Sequence, residues 1–130
     1  GGELSRIMLA LKNVLAENDS IMTLIFDEVD AGISGRAAGK VAEKMSALSA
    51  GSQVLCVTHL AQIAAMADAH FSVQKEERKG RTYTEVLVLD RDGRRQELAR
   101  LTGGATVSAA ILEGAEALLQ EAEAYRAARG

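Results

Sequence analysis

Apolar residues recur every three to four positions at the start of the chain: Leu4, Ile7, Met8, Leu11, Val14 and Leu15. That spacing predicts a helix over residues 3–17 with these side chains on one face. Asn18-Asp19-Ser20 then breaks the pattern. Residues 21–26, Ile-Met-Thr-Leu-Ile-Phe, form a short apolar run without alternation. Such a run predicts a strand buried on both faces, as in a parallel sheet. Residues 27–35 read as a loop holding Asp30, Gly32, Ser34 and Gly35. Helical spacing returns from about Arg36 to Leu48, through Ala38, Val41 and Met45, and stops at Ala50-Gly51. Residues 53–58 predict a second buried strand, followed by a short helix over about 60–67. Two further strands, 70–75 and 82–89, are expected around a charged turn, Glu76 to Arg81. Asp90-Arg91-Asp92-Gly93 reads as another turn. A short helix near Glu97 to Leu101 ends at Gly103-Gly104. The last helix starts near Thr106 and carries Ile111, Leu112, Ala115, Leu118, Leu119 and Ala122.

Helix, strand, helix, strand, helix and then a hairpin is the order of an α/β fold with parallel central strands. The 130 residues suffice for one domain. Only Phe26, Phe71, Tyr83 and Tyr125 are aromatic, so aliphatic side chains must carry the core. Proline is absent, which leaves the turns to Gly, Asp and Asn. The formal net charge of -3 gives no long-range attraction to nucleic acid. The hairpin tip, Lys75 to Arg81, holds four basic residues with Glu76 and Glu77 among them, and reads as solvated. Cys56 is the single cysteine, between Leu55 and Val57, so a buried, inert thiol is expected, with no disulfide or zinc cluster. No run of about 18 apolar residues offers a membrane span. The opening Gly1-Gly2-Glu3, directly ahead of a helix and without methionine, points to a piece of a longer chain.

Three places carry candidate chemistry. The first predicted strand ends in Asp27-Glu28. Ligands of parallel sheets sit at the carboxyl ends of strands. One carboxylate there can hold Mg²⁺ through water beside phosphates, and the next can orient a water for attack. The plainer reading is two solvated acids opening a loop. The second strand exits through Thr58-His59, which parallel pairing would bring beside Asp27 and Glu28. That imidazole can donate to a phosphate or simply cap the following helix. His70 has no such setting and reads as surface. Gly1 and Gly2 precede a helix whose free N–H groups can meet a phosphate. Arg6 and Lys12 read as solvated helix charges. Residues 35–41, Gly-Arg-Ala-Ala-Gly-Lys-Val, only imitate a phosphate loop: Ser34 stands where glycine is needed and Val41 where Ser or Thr is needed.

Taken in order, these features resemble the second half of an ABC-type ATPase head. Gly1 to Arg6 are similar to the signature motif, Asp27-Glu28 to the Walker B pair, residues 29–34 to the D-loop and His59 to the switch histidine. The stretches GGELSRIMLALK, LIFDEVDAGISGRAAGKVAEKM and QVLCVTHLAQIAAMAD resemble the bacterial RecN family of SMC-like ATPases in particular. The match is clear through about residue 68, and the hairpin, ELARLTGG and the last helix also fit. Ser34 occupies a D-loop position often filled by aspartate, and Ala61 a position often filled by proline.

The resemblance implies a C-terminal lobe of a P-loop ATPase head over residues 1–130, with the Walker A half and a long coiled coil elsewhere. Asp27 would hold Mg²⁺ through water, Glu28 would be the general base, and His59 would contact the γ-phosphate. Gly1 and Gly2 would face the ATP of a partner head, and Asp30, Gly32 and Ser34 would lie at the head–head interface. The implied partners are the N-terminal half, a second head joined through sandwiched ATP, and DNA. The implied setting is the cytoplasm and nucleoid, without membrane, and the implied work is recombinational repair of double-strand breaks. This chain alone is expected to be inactive. The alternatives are a structural or dimerisation module without chemistry, or a head from another SMC- or RecF-like ATPase of DNA metabolism.

Overall fold

The computed structural model describes residues 2–15 and 23–129, the side chains of Val14 and Leu15 excepted. Gly1, the break at Asn18-Asp19-Ser20 and the Ile21-Met22 start of the first strand lie outside the described residues. The elements run α1 (Gly2–Leu15), β1 (Thr23–Asp27), α2 (Gly35–Leu48), β2 (Gln53–Val57), α3 (Ala61–Ala65), β3 (Phe71–Arg78), β4 (Arg81–Val88), α4 (Arg91–Gly103) and α5 (Ala109–Arg129). The architecture is α/β. β1 and β2 pair in parallel, joined by the α2 crossover, and β3 and β4 form an antiparallel hairpin.

One core forms where α2 and Leu9 of α1 meet the sheet. It holds Leu9, Phe26, Val29, Ala38, Ala42, Met45, Leu48 and Ile63. Helical spacing in α2 supplies Ala38, Ala42 and Met45, and the strand period supplies Leu24 and Phe26 from one face of β1. The opposite face is open. Ile25 is 72% exposed, and Leu55 and Val57 are exposed beside it. The expectation of strands buried on both faces is therefore corrected: only one face of the pair is covered within the described residues. α1 departs in the same way. Its predicted apolar stripe, Leu4, Ile7, Met8 and Leu11, faces solvent, while Gly2 and Leu9 on the other side are buried. The helix is seated by its glycine and polar side, not by its stripe.

The second core lies between α3, α4 and α5 and is built from Ala61, Ala64, Ala65, Leu98, Ala99, Ala115, Leu119 and Ala122. Alanine at these contacts lets the helix backbones approach closely, and Leu98 and Leu119 fill the remaining space. The predicted turn at Asp90–Gly93 is the first turn of α4 instead. Asp90 is its N-cap, and its Oδ1 accepts from the Gly93 N–H at 2.7 Å. α4 is consequently longer than the predicted 97–101 segment. α5 begins at Ala109 rather than near Thr106, with Ser108 Oγ accepting from Ile111 N–H at 3.2 Å. The hairpin strands continue through the charged segment predicted as a turn, and reverse only at Lys79-Gly80.

Candidate functional site

The parallel register matches Thr23 with Gln53 and Asp27 with Val57, so the two strands end level. The chain leaving β1 as Glu28 and the chain leaving β2 as Thr58-His59 therefore emerge side by side. Asp27, Glu28, Asp30, Ala31, Val57, His59 and Leu60 line one hollow of about 250 Å³ at this edge. A larger hollow of about 570 Å³ lies between the hairpin and α4. Its arginines are already engaged, Arg95 with Asp92 and Arg100 with Glu97. The carboxylates and the imidazole that can act on a phosphate are gathered in the smaller one.

Asp27, Glu28 and His59 are all exposed into it. Glu28 adopts φ 61°, a left-handed conformation uncommon outside glycine. It turns the chain sharply at the strand end, and its carbonyl accepts from Ala31 N–H at 3.1 Å. Asp30 is half-buried and turns inward. Its Oδ2 accepts from Thr58 Oγ1 at 2.6 Å and from the His59 backbone N–H at 2.7 Å. Burial pushes the Asp30 carboxyl up, but these two hydrogen bonds, together with its own backbone N–H and the nearby His59, outweigh it and hold the group below its usual range. Thr58 Oγ1 in turn accepts from Leu60 N–H at 3.1 Å, just before α3 begins.

α1 closes the other side. A side chain on Gly2 would put its Cβ 2.6 Å from the Glu28 carbonyl oxygen and 2.7 Å from the Ala31 Cβ, so only glycine fits there. Ser5 Oγ donates to the Asp27 carbonyl at 2.9 Å. Arg6 donates one guanidinium nitrogen to the carbonyls of Val29 at 3.1 Å and Ala31 at 2.7 Å. Its reading as a solvated charge is thus corrected. No sequence signal distinguished Arg6, because its partners lie more than twenty residues away. Gly32 (φ 75°) turns the same loop, and Ser34 stands at the N-cap of α2 without a side-chain cap bond.

Cys56 lies beneath this edge, and burial, aided by the Asp30 and Asp27 carboxylates, pushes its thiol up to about 12. It stays a protonated, unreactive thiol at neutral pH, as expected. His70 is not the plain surface residue predicted. It is half-buried with Nδ1 unpaired, and burial and then the neighbouring Arg94 lower its pKa. It lies away from the hollow. Among the described residues, no group of three or more His, Cys, Asp or Glu forms a ready-made metal cage. No helix there is long and apolar enough to cross a membrane.

No family model matches the chain. Individual proteins do. It is 46% identical over 123 residues to the DNA repair protein RecN of Bacillus subtilis, which covers 95% of this chain and 21% of that protein. It is 52% identical to RecN of Treponema pallidum over 120 residues, 92% of this chain and 21% of that protein. RecN of Deinococcus radiodurans is likewise 52% identical over 119 residues, 92% of this chain and 21% of that protein. The chain thus spans about a fifth of the length of the curated relatives it matches. Its fold matches a chain solved in work on ATP-driven dimerization and DNA-stimulated activation of SMC ATPases, with a TM-score of 0.61 and 23% identity. That match covers 82% of this chain and 63% of the other. In sequence, then, the chain is similar to about a fifth of the length of RecN proteins, and its fold is similar to that of a chain from the work on SMC ATPases.

Proposed function

We propose that these residues form the C-terminal lobe of a RecN-like ATPase head that binds and hydrolyses ATP in recombinational repair of double-strand DNA breaks. The observation that carries this is the level ending of β1 and β2, which collects Asp27, Glu28 and His59 around one hollow. The hollow is rich in carboxylates, and a triphosphate enters such a place only with a cation. Asp27, exposed at the strand end, suits a Mg²⁺ ion held mainly by water and phosphate oxygens. Such an ion would neutralise phosphate charge when bound. Glu28 orients and deprotonates the attacking water. His59 donates to the γ-phosphate. By the same likeness, Gly1 and Gly2 would face the ATP of a second head, and Asp30, Gly32 and Ser34 would lie in the loop nearest that head. ATP joins two heads and hydrolysis releases them. The Walker A half comes from the N-terminal part of the same protein, and DNA is met by the full-length protein in the cytoplasm and nucleoid.

The open faces of the sheet and of α1 support the same reading. Ile25, Leu55, Val57, Leu4, Ile7 and Leu11 are exposed, and the N-terminal half would cover them. The test is ATP turnover by the full-length protein, by this chain, and by this chain mixed with its N-terminal half. Glu28→Gln in the full-length protein should lower kcat by about 10² to 10⁴-fold, leave ATP binding intact and stabilise the joined heads. This chain alone should turn over no ATP. Normal turnover by Glu28→Gln would remove the general-base assignment.

A further inference from the structure

The polar contacts around Asp30 form one connected path. Arg6, in the second turn of α1, grips the carbonyls on both sides of Asp30, those of Val29 and Ala31. Asp30 is thus presented with its carboxylate toward β2, where it takes the Thr58 hydroxyl and the His59 N–H. Glu28 sits two residues before Asp30, in the same tight turn, and its carbonyl lies against Gly2. The path begins on the helix whose N-terminus would meet the other head's nucleotide and ends on the two residues that would act on this head's own nucleotide.

We propose that Asp30 is a positioning residue: held by Arg6, it sets the backbone of His59 and the turn that carries Glu28, and so makes catalysis depend on how α1 is seated. This rests on the ATPase reading above. Two features of the geometry favour a positioning role over a surface contact. Both hydrogen bonds that Asp30 Oδ2 accepts come from groups of the neighbouring strand exit, at 2.6 and 2.7 Å, the short range of charge-assisted hydrogen bonds. The arginine holds backbone oxygens rather than a carboxylate, so its function is to fix a loop, not to neutralise a charge. Displacing a catalytic group by about 1 Å can cost on the order of a hundredfold in rate.

The experiment uses the full-length protein and compares wild type, Asp30→Ala, Thr58→Val, Thr58→Ser, Arg6→Ala and the Arg6→Ala/Asp30→Ala double variant. ATP turnover is read as kcat and KM at a temperature where all are folded. Hydrogen exchange is read on the peptide containing His59. Asp30→Ala and Thr58→Val should lower kcat by about 10 to 100-fold with KM changed less than about threefold, and Thr58→Ser, which keeps the hydroxyl, should recover most of it. The double variant should be no worse than the more impaired single variant, within about threefold, because both act through one path. The His59 amide should exchange at least about tenfold faster in Asp30→Ala. Wild-type kcat in Asp30→Ala, equal impairment by Thr58→Ser and Thr58→Val, multiplying losses in the double variant, or unchanged exchange at His59 would each overturn the proposal. If wild type itself turns over no ATP, the ATPase reading fails. The exchange comparison then decides the path alone: faster exchange keeps it, and unchanged exchange removes it.

Discussion

The core around β1 and β2 is mostly larger aliphatic side chains, Met45 and Phe26, with two alanines, whereas the core under α4 and α5 is mostly alanine around Leu98 and Leu119. The first covers one side of a sheet and leaves the other side bare. The second is enclosed by three helices and tied by polar contacts. Arg91 forms a two-pronged pair with Glu116, at 2.9 and 2.8 Å, and also reaches Glu123 at 2.9 Å. Arg94 donates to the carbonyls of Ala64, Ala65 and Ala67, which closes the end of α3. Arg129, at the far end of α5, hydrogen-bonds Ser46 of α2 and so ties the two regions together. The site lies wholly in the open region. The enclosed region holds the fold around α3, the element that follows His59. The candidate site thus lies where the molecule still has surface to offer, with the enclosed helical core behind it.

The sharpest way to break the contrast is to hollow out the enclosed core. Leu98 is fully buried, so Leu98→Ala removes its packing and leaves a void between helices. The expected loss is about 2–5 kcal/mol, read by urea unfolding. A smaller effect is expected from His70. Its folded pKa lies below the ordinary value of 6.5 because burial and Arg94 disfavour the imidazolium. The unfolded chain therefore binds the proton first as pH falls. Stability should be full above about pH 6.5 and decline as pH drops below it, and His70→Gln should flatten that decline in unfolding curves measured from pH 7 to pH 5. The smallest effect on stability is expected on the bare face. Ile25→Ser should change the unfolding free energy of this chain by no more than about 0.5 kcal/mol, since the side chain is already 72% exposed. The same change should weaken association with the N-terminal half in a binding titration. A large loss of stability in the isolated chain would mean that Ile25 is packed there after all.

What could be read from the sequence follows the same division. Asp27, Glu28 and His59 were legible because a strand end is a local event, and two parallel strands separated by a helix bring their ends together whatever the details of packing. The helices α2 and α5 were legible because their buried positions keep helical spacing. The stripe on α1 misled because periodicity marks a face that seeks a partner and does not say whether the partner is in the same stretch of chain. The Asp90–Gly93 segment misled because Asp and Gly serve both turns and helix starts, and here the carboxylate caps. Gly2 and Asp30 were singled out in the sequence for other roles, but the packing of Gly2, the grip of Arg6 and the inward turn of Asp30 could not be read there. Their roles come from contacts spanning more than twenty residues, made where α1 and the exit of β2 meet the loop after β1.

The level ending of the strands makes the sheet a ruler for the hollow. Successive residues of a strand advance by about 3.3 Å and point to opposite sides. Deleting one residue within β2 would thus draw His59 back by one step and turn it to the wrong side of its own strand, with every atom of the imidazole still present. The loops beyond the sheet can vary in length with little consequence for this geometry. The distance from Gln53 to His59, and that from Thr23 to Glu28, cannot. In any related chain, insertions and deletions should avoid these two intervals, even where the residues inside them are freely exchanged.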